Sequence, residues 1–283
     1  MDAFFESECF KLILGDSVQL MNEVLEPDSF DLIFADPPYL LSNGGSSVQN
    51  GKRVCVDKGE WDKSSGPQDD FDFHRRWISA CRRVLKPEGT MFISGTYHAI
   101  HYCGTALLLD GFRILNDISW AKRNAPPNLG CRCFADAHET LIWALKTRGS
   151  RYCFNYEDMK GGNWHESDEF KNAGSQMRTV WAINTPGGGE KLEGKYPTMK
   201  PLSLCRRMVA AATVPGMRVL DPFTGSSGFG LVAKQMGRDF VGIDLSPEGL
   251  DLSVRRHNRM FVSDCLDPKL SGLSGEENGE GVE

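Results

Sequence analysis

The 283-residue sequence lacks the features of membrane, secreted and disulfide-rich proteins. It has no run near the roughly 18 apolar residues of a membrane span, and its first residues show neither the basic region nor the apolar core of a signal peptide. Its nine cysteines are odd in number and include no C-x-x-C pair, so neither a disulfide framework nor a zinc site is supported. These absences favour a protein of the reducing cytoplasm with no membrane partner.

The chain also has no excess of basic residues, with 32 Lys and Arg against 38 Asp and Glu. The net charge of −6 is concentrated at the carboxyl end, because residues 264–283 contain six acidic side chains and one lysine. This Gly- and Glu-rich tail predicts disorder and would be repelled by nucleic acid. Nucleic-acid binding is not excluded, because phosphate contacts require a basic face and not a basic protein.

What the sequence does contain is an alternation of strand and helix patterns. Strands are predicted at 11–14, 30–35, 90–94, 112–119, 138–145, 217–221 and 239–243, and helices at 17–25, 71–85, 97–110, 201–213, 229–237 and 247–260. This alternation indicates an α/β fold with a mostly parallel sheet and helices on both faces. Residues 42–70 predict a long flexible loop, and 150–198 predict an inserted region. We expect one domain over 1–263, followed by the tail at 264–283.

A glycine-rich turn between two predicted strands, MRVLDPFTGSSGFGLVAKQMGRDFVGID at 217–244, has the pattern of a ligand site. One strand ends at Asp221 and the next at Asp244, and ligands of open α/β sheets bind beyond such ends. The glycines are similar to a dinucleotide fingerprint, which leaves an NAD-dependent oxidoreductase as an alternative. A carboxylate at Asp221 disfavours a pyrophosphate and suits an ammonium group. Asp244 would bind ribose hydroxyls. A ligand that carries both an ammonium group and a ribose but no pyrophosphate is S-adenosyl-L-methionine, which the pattern therefore indicates.

A second pattern, DLIFADPPYLLSNGG at 31–45, places Asp36 directly after an apolar strand and before two prolines and Tyr39. An exocyclic amine that attacks a methyl group needs positioning and acceptors for its developing positive charge. The Asp36 carboxylate is one acceptor, and the Pro37 carbonyl, directed by rigid prolines, is another. Tyr39 offers a ring on which a base can stack. A stiffened strand end is the plainer interpretation, but it would explain only the prolines.

Together, the two patterns resemble the β-class amino-methylating DNA methyltransferases, in which D-P-P-Y precedes D-P-F-x-G-S-G. Four more segments of this sequence resemble blocks of the family: LGDS at 14–17, ISWAKRNAPPN at 118–128, HETLIWA at 138–144 and KYPTMKP at 195–201. The likeness covers about residues 10–260 and is nearest to the DpnA-like and HinfI-like adenine-N6 enzymes. Ser227 and Phe229 in the cofactor turn, and Tyr196 and Met199 in the later block, depart from the family pattern. We expect these departures to affect affinity more than activity.

The resemblance implies a Rossmann-like fold and a site-specific, S-adenosylmethionine-dependent DNA methyltransferase of a restriction-modification system. The enzyme would flip the target out of the duplex and methylate adenine N6 in a short palindrome, with GATC favoured and GANTC second. A cytosine-N4 enzyme, an enzyme acting on RNA or a protein amide, and a non-catalytic DNA-binding protein with a vestigial cofactor pocket remain alternatives. The expected partner is double-stranded DNA, with single-stranded DNA left open, and the resemblance suggests a homodimer.

The resemblance also assigns residues to roles. Catalytic roles are expected at Asp36, Pro37, Pro38 and Tyr39. Cofactor binding is expected at Asp16, Asp36, Lys200, Asp221, Phe223, Gly225, Ser226, Ser227 and Asp244. Because Arg and Asn read base edges and cations bind phosphates, DNA contacts are expected at Arg53, Lys58, Lys122, Arg123, Asn124, Asn128, Arg132 and Arg178. The 150–198 region is the candidate for target recognition, with Arg178 and Trp181 as its leading residues.

Overall fold

The computed structural model describes residues 3–42, 46–49, 52–55, 62–128, 130–161 and 174–262, with 46–49 and 52–55 described as backbone alone. The strands are β1 (Phe5–Ser7), β2 (Phe10–Leu14), β3 (Phe30–Ala35), β4 (Ser46–Gln49), β5 (Lys52–Cys55), β6 (Leu85–Gly95), β7 (Arg113–Ala121), β8 (His138–Leu145), β9 (Val180–Ala182), β10 (Arg218–Asp221) and β11 (Asp239–Asp244). The helices are α1 (Ser17–Glu23), α2 (Pro67–Val84), α3 (Ile100–Leu109), α4 (Tyr156–Gly161), α5 (Leu202–Ala212), α6 (Gly228–Gln235) and α7 (Pro247–Phe261). None of the helices in these ranges has the length and hydropathy of a transmembrane span.

Nine strands form one sheet in the order β1-β2-β11-β10-β3-β6-β8-β7-β9. Five neighbouring strands of this sheet are parallel, namely β2, β11, β10, β3 and β6. Strand β8 runs antiparallel to both β6 and β7. The predicted α/β fold with a mostly parallel sheet is therefore confirmed. Because the central strands are parallel, the carboxyl ends of β2, β3, β10 and β11 meet at one edge of the sheet.

The core lies in two layers, one on each face of the sheet. Helices α1, α2 and α3 cover one face with buried side chains such as Trp77, and α5, α6 and α7 cover the other with side chains such as Phe229. Strand β3 alternates between the two layers, with Ile33 in the first and Phe34 in the second. Each such side chain stabilises the fold by about 1.5–3 kcal/mol when it is fully buried.

The predicted loop at 42–70 contains regular structure in its described parts. Strands β4 and β5 pair as an antiparallel hairpin, with Ser46 opposite Cys55, so the prediction of a structureless loop is wrong there. Helix α2 begins at Pro67, four residues before the predicted start, because a proline at the first turn and two early acids suit a helix N-terminus. Lys58 and the tail at 264–283 lie outside the described residues.

The region at 150–198 is joined to the main sheet. Strand β9 pairs with β7, placing Trp181 opposite Trp120, and Trp181 is 5% exposed within the core. Its indole N–H donates to the Arg178 carbonyl at 2.9 Å. The Trp181 ring therefore stabilises the edge of the sheet and is not exposed to a partner, whereas the side chain of Arg178 is exposed; target recognition by this region stays a prediction.

Candidate functional site

A cavity of about 480 Å³ opens at the edge where the parallel strands end. Its walls come from the segments that follow β2, β3, β10 and β11, so the sheet topology brings together residues that are far apart in sequence. The predicted site residues on its lining are Asp16, Asp36, Pro37, Pro38, Tyr39, Phe223, Gly225 and Asp244. The structure thus unites most of the two sequence patterns around one space.

Asp244 is fixed at the rim of this first cavity by backbone donors. The Gly225 N–H donates to Asp244 Oδ2 at 2.6 Å, and the Ser246 N–H donates to Oδ1 at 2.8 Å. Gly225 has φ +48°, and a Cβ there would lie 2.8 Å from Tyr196 Cε1. Glycine is therefore required by both conformation and space, and it brings bare backbone to the cavity wall.

The buried carboxylates of Asp221 and Asp244 make the site suitable for a positively charged ligand. Burial raises the pKa of Asp221 well above its usual range, and the nearby charges of Asp36 and Asp244 raise it further. Burial likewise raises the pKa of Asp244, although backbone hydrogen bonds oppose the shift. A positively charged ligand would favour both ionised forms. The Asp221 side chain lies on a narrow space of about 20 Å³ beside Asp36 and Gly225.

Asp36 is the centre of a buried hydrogen-bond network. Its Oδ1 accepts from the Ser94 hydroxyl and lies 2.6 Å from the Tyr39 hydroxyl. Its Oδ2 accepts from Lys200 Nζ at 2.6 Å. The Tyr39 hydroxyl is also 2.9 Å from Glu139 Oε2, and it donates its single proton to one of the two carboxylates. Burial and the charges of these carboxylates raise the pKa of Tyr39 well above its usual value, so the phenol remains protonated.

A second cavity of about 300 Å³ lies on the other side of this network. It shares Tyr39, Tyr196 and Thr198 with the first cavity. Trp120 and Lys200 line it as well, together with Glu139. Its volume is at the small end of ligand pockets, and its mixture of aromatic and charged groups suits a planar ligand that carries polar edges.

Four predicted cofactor residues lie around the first cavity and not on its described lining: Asp221, described above, and Ser226, Ser227 and Lys200. Ser226 accepts from Arg256 through its carbonyl, at 2.5 Å. Ser227 directly precedes α6 with φ 52°, and its hydroxyl lies 2.8 Å from the Thr224 hydroxyl. These two serines hold the shape of the turn. Lys200 lies between Asp36 and Glu139 and lines the second cavity.

The predicted DNA-contact residues of the 121–136 loop lie at the same sheet edge, because β7 is parallel to β6 and ends at Ala121. Lys122 is paired with Glu139, with Nζ 2.5 Å from Oε1. The Asn124 amide donates to Thr185 at 2.9 Å, and the Asn128 amide oxygen accepts from the Gly130 N–H at 2.8 Å. The exposed cations are Arg123, Arg132 and Arg178. The backbone of Arg53 lies in β5 and its side chain is outside the described residues.

Sequence reasoning missed Glu139 and Ser94 as parts of the site. Glu139 stands near the start of the apolar strand β8 and is 7% exposed. A buried acid within a strand is unusual unless it is paired, so the HETLIWA pattern itself carried the signal. Ser94 comes near the end of β6, next to the strand that ends before Asp36. Only the strand order, which the sequence does not state, brings the two together.

The fold and site together define a class of protein. It is an α/β domain with a mostly parallel sheet, whose edge holds a carboxylate-lined cavity for a cationic, ribose-bearing ligand, joined at Tyr39, Tyr196 and Thr198 to a second cavity. The chain belongs to the DNA methylase family, which matches residues 30–255. Family membership confirms the predicted class of enzyme, a DNA methyltransferase.

Known proteins similar to this chain agree with that class. The type II methyltransferase M2.LlaDCHI of Lactococcus lactis subsp. cremoris is 46% identical over 257 residues, which cover 90% of this chain and 92% of the relative. The type II methyltransferase M2.DpnII of Streptococcus pneumoniae is 44% identical over 246 residues, which cover 87% and 88%.

Solved structures extend the comparison to the fold and the cofactor. The M1.HpyAVI–SAM complex has a TM-score of 0.62 at 25% identity and covers 88% of this chain and 99% of that chain. It confirms the predicted cofactor, S-adenosyl-L-methionine. The PvuII DNA methyltransferase, described as cytosine-N4-specific, has a TM-score of 0.65 at 19% identity over 87% of this chain and 86% of that chain. At that identity it supports the fold alone.

Proposed function

We propose that this protein transfers a methyl group from S-adenosylmethionine to N6 of adenine in a short palindrome of double-stranded DNA, with GATC the first candidate and GANTC the second. The observation that carries the proposal is the position of Asp36. Its carboxylate lines the first cavity, which suits the cofactor, and is hydrogen-bonded to Tyr39 and Lys200, which line the second, a space that suits an extruded base. Relatives named type II methyltransferases support a specific DNA site.

When bound, S-adenosylmethionine supplies an electrophilic methyl group on a positively charged sulfur. The side chains around the first cavity would bind the cofactor and orient its methyl group. Asp221 would pair with a cationic portion of the ligand, and Asp244, fixed by the Gly225 and Ser246 N–H groups, would accept ribose hydroxyls. Asp16 caps α1 through the Gln19 N–H at 2.8 Å and lines the far wall of the same cavity.

The target amine is positioned by Asp36 and by the Pro37 carbonyl. As the amine nitrogen bonds to the methyl carbon, the sulfur–carbon bond breaks and its electron pair remains on sulfur. The nitrogen then carries a positive charge and loses a proton to the Asp36 carboxylate, or through it to water. A preorganised carboxylate next to the developing charge accelerates such a step. Tyr39, whose ring lines both cavities, stacks on the base.

A carboxylate at position 36 also supports adenine N6 over cytosine N4, because resemblance to the amino-methylating enzymes associates Asp with adenine and Ser with cytosine. The ordered Asp36–Tyr39–Lys200 network argues against a vestigial pocket. Buried thiols such as Cys81 and Cys103, with pKa values raised by burial, support the reducing cytoplasm as the compartment. A homodimer on duplex DNA is part of the proposal, and sedimentation with duplex and single-stranded substrates tests both points.

The decisive experiment is methylation of short duplexes that contain GATC, GANTC or a scrambled site, followed by mass spectrometry of the released nucleosides. We expect N6-methyladenine in the GATC duplex. Asp36→Ala should lower the rate by about 100-fold or more while the protein still binds S-adenosylmethionine. N4-methylcytosine as the product, or near-normal transfer by the variant, would contradict the proposal.

A further inference from the structure

Both oxygens of the Asp36 carboxylate are engaged by neighbouring side chains. Oδ1 accepts from the Ser94 hydroxyl and lies 2.6 Å from the Tyr39 hydroxyl, and Oδ2 accepts from Lys200 Nζ at 2.6 Å. The proposed reaction requires one of these oxygens for the N–H of the target amine. The lysine ammonium therefore competes with the amine for the negative charge of Oδ2, and the carboxylate is a stronger acceptor for the amine once the ammonium has moved away.

The ammonium of Lys200 cannot leave for water without a large cost. Its side chain is 8% exposed, and a buried ion separated from its counterion loses several kcal/mol. The structure offers a second carboxylate at short range, because Glu139 Oε2 lies 3.4 Å from the same Nζ. A shift that shortens this distance to about 2.8 Å, the length of a charge-assisted hydrogen bond, would keep the lysine paired.

Glu139 is prepared to receive this charge. Its Oε1 is held by Lys122 at 2.5 Å, which leaves Oε2 directed at Tyr39 and Lys200. Burial alone would raise the pKa of Glu139, but Lys200 and Lys122 lower it to about 2. The glutamate is therefore ionised at neutral pH, although its side chain is only 7% exposed.

We propose that Glu139 is a positioning residue that takes the Lys200 ammonium from Asp36 when the target amine binds, which frees Asp36 Oδ2 for that amine. This inference rests on the proposed function, since it concerns the acceptor for the amine. The net charge of the network does not change during the exchange, because the lysine passes from one carboxylate to the other. Glu139 touches neither the amine nor the methyl group, and it acts through Lys200.

The test compares Glu139→Gln with Glu139→Asp. Glutamine keeps an oxygen acceptor for Tyr39 and removes the charge, so Lys200 stays on Asp36 and kcat at saturating DNA and cofactor should fall at least ten-fold. Aspartate keeps the charge on a shorter side chain and should recover much of that loss. Cofactor affinity should change less than two-fold in both variants. Equal kcat values for the two variants, or a Glu139→Gln rate near the wild-type rate, would overturn the inference.

A second arm uses Lys200→Met, which removes the competing ammonium. Because the lysine is not needed on Asp36 during transfer, this variant should keep activity within about ten-fold of wild type, and Glu139→Gln added to it should change kcat less than two-fold. A folded but inactive Lys200→Met protein, or additive effects of the two changes, would also overturn the inference. Should Lys200→Met not fold, as judged by melting, Lys200→Gln replaces it, and the glutamine–aspartate comparison stands without either.

Two controls separate the inference from the function on which it rests. Glu6→Gln removes an ion pair with Lys11, 3.1 Å long, on strand β1, where Glu6 lines neither cavity, and should leave kcat unchanged. Wild type is assayed beside every variant for N6-methyladenine. A wild type without that product refutes the proposed function and the inference together, whereas an active wild type with an unaffected Glu139→Gln refutes the inference alone.

Discussion

At the scale of the residue, Asp221 shows how binding and stability oppose each other. Its side chain is 2% exposed, and the Phe223 N–H donates to its Oδ1 at 3.0 Å. Burial raises its pKa well above the usual range. A group whose pKa is raised by folding stabilises the protein at acid pH, and this contribution is lost as the pH rises through the folded pKa. Asp221 therefore weakens the cofactor-free fold at neutral pH.

Asp221→Asn should separate the two effects. Asparagine keeps the acceptor for the Phe223 N–H but does not ionise, so the cofactor-free protein should melt higher at neutral pH, by about 2 °C for each kcal/mol gained. Its affinity for S-adenosylmethionine should fall about ten-fold or more, because a charge-assisted contact is lost. Thermal unfolding with and without cofactor, at neutral and mildly acidic pH, measures both changes.

The control for that prediction is Asp251→Asn, which changes an exposed carboxylate on α7 and should alter neither quantity. A lower melting temperature for cofactor-free Asp221→Asn at neutral pH would mean that the ionised carboxylate stabilises the free protein, contrary to the direction of its pKa shift. A higher melting temperature together with a weaker affinity for S-adenosylmethionine would show that Asp221 contributes to binding and not to stability.

The carboxylates were predictable from the sequence because each follows a strand directly. Asp36, Asp221 and Asp244 stand at strand ends, and parallel strands bring their carboxyl ends to one edge. Glu139 was not predictable in the same way. It reaches Tyr39 from 100 residues away, through the pairing of β8 with β6, and a sequence pattern does not state which strands are neighbours.

At the scale of the element, long and strongly patterned segments were predicted and short ones were not. Helix α7 and strand β11 lie within two residues of their predicted limits. Strand β9 has three residues, too few for any periodicity to show. It forms because Trp181 packs in the core beside β7, which is a tertiary effect. The same reason explains why 150–198 was interpreted as an insertion.

The packing of α6 on β11 determines how an alanine at Gly230 changes the free energy of unfolding. The sequence alone would predict a stabilising change, and the structure predicts a destabilising one. Replacing a helical glycine by alanine usually stabilises a protein by about 0.5–1 kcal/mol. At Gly230, a Cβ would collide with the buried Phe240 ring, 2.6 Å from its Cδ1. Gly230→Ala should therefore lower the free energy of unfolding by about 1–3 kcal/mol, as overpacking does, and urea unfolding measures it.

Gly161→Ala is the matched comparison for this element. Gly161 ends α4, and a Cβ there meets no atom within 4 Å. It should be neutral or slightly stabilising. Destabilisation by both variants to the same extent would assign the effect to backbone conformation and not to the contact between α6 and β11.

At the scale of the whole molecule, net charge conceals where DNA can bind. The chain carries −6 overall, and the first cavity is lined by carboxylates. Exposed arginines lie on the loop after β7, at the same sheet edge as both cavities. Lys122 on that loop is committed to Glu139 through a contact of 2.5 Å. Phosphate contacts should therefore come from Arg132 and not from Lys122, although the sequence predicts DNA contacts for both residues.

The salt dependence of DNA binding separates these two residues. A cation that contacts one phosphate releases about one counterion, so its removal should reduce the slope of log K against log salt concentration by about 0.9. Arg132→Gln should show this reduction, measured by fluorescence anisotropy with a duplex that contains the preferred site. Lys122→Gln should leave the slope unchanged and lower kcat instead, because it releases the Glu139 carboxylate that pairs with Lys200.

The pattern of the two slopes then decides between two arrangements of the complex. If Lys122→Gln reduces the slope as much as Arg132→Gln does, Lys122 must exchange Glu139 for a phosphate when DNA binds. Glu139 Oε1 would then lose its partner as DNA arrives, and Oε2 would no longer be held toward Lys200 by that contact. If only Arg132 contributes, the Lys122–Glu139 pair persists in the complex, and the charge of Glu139 is set by the protein before any DNA is bound.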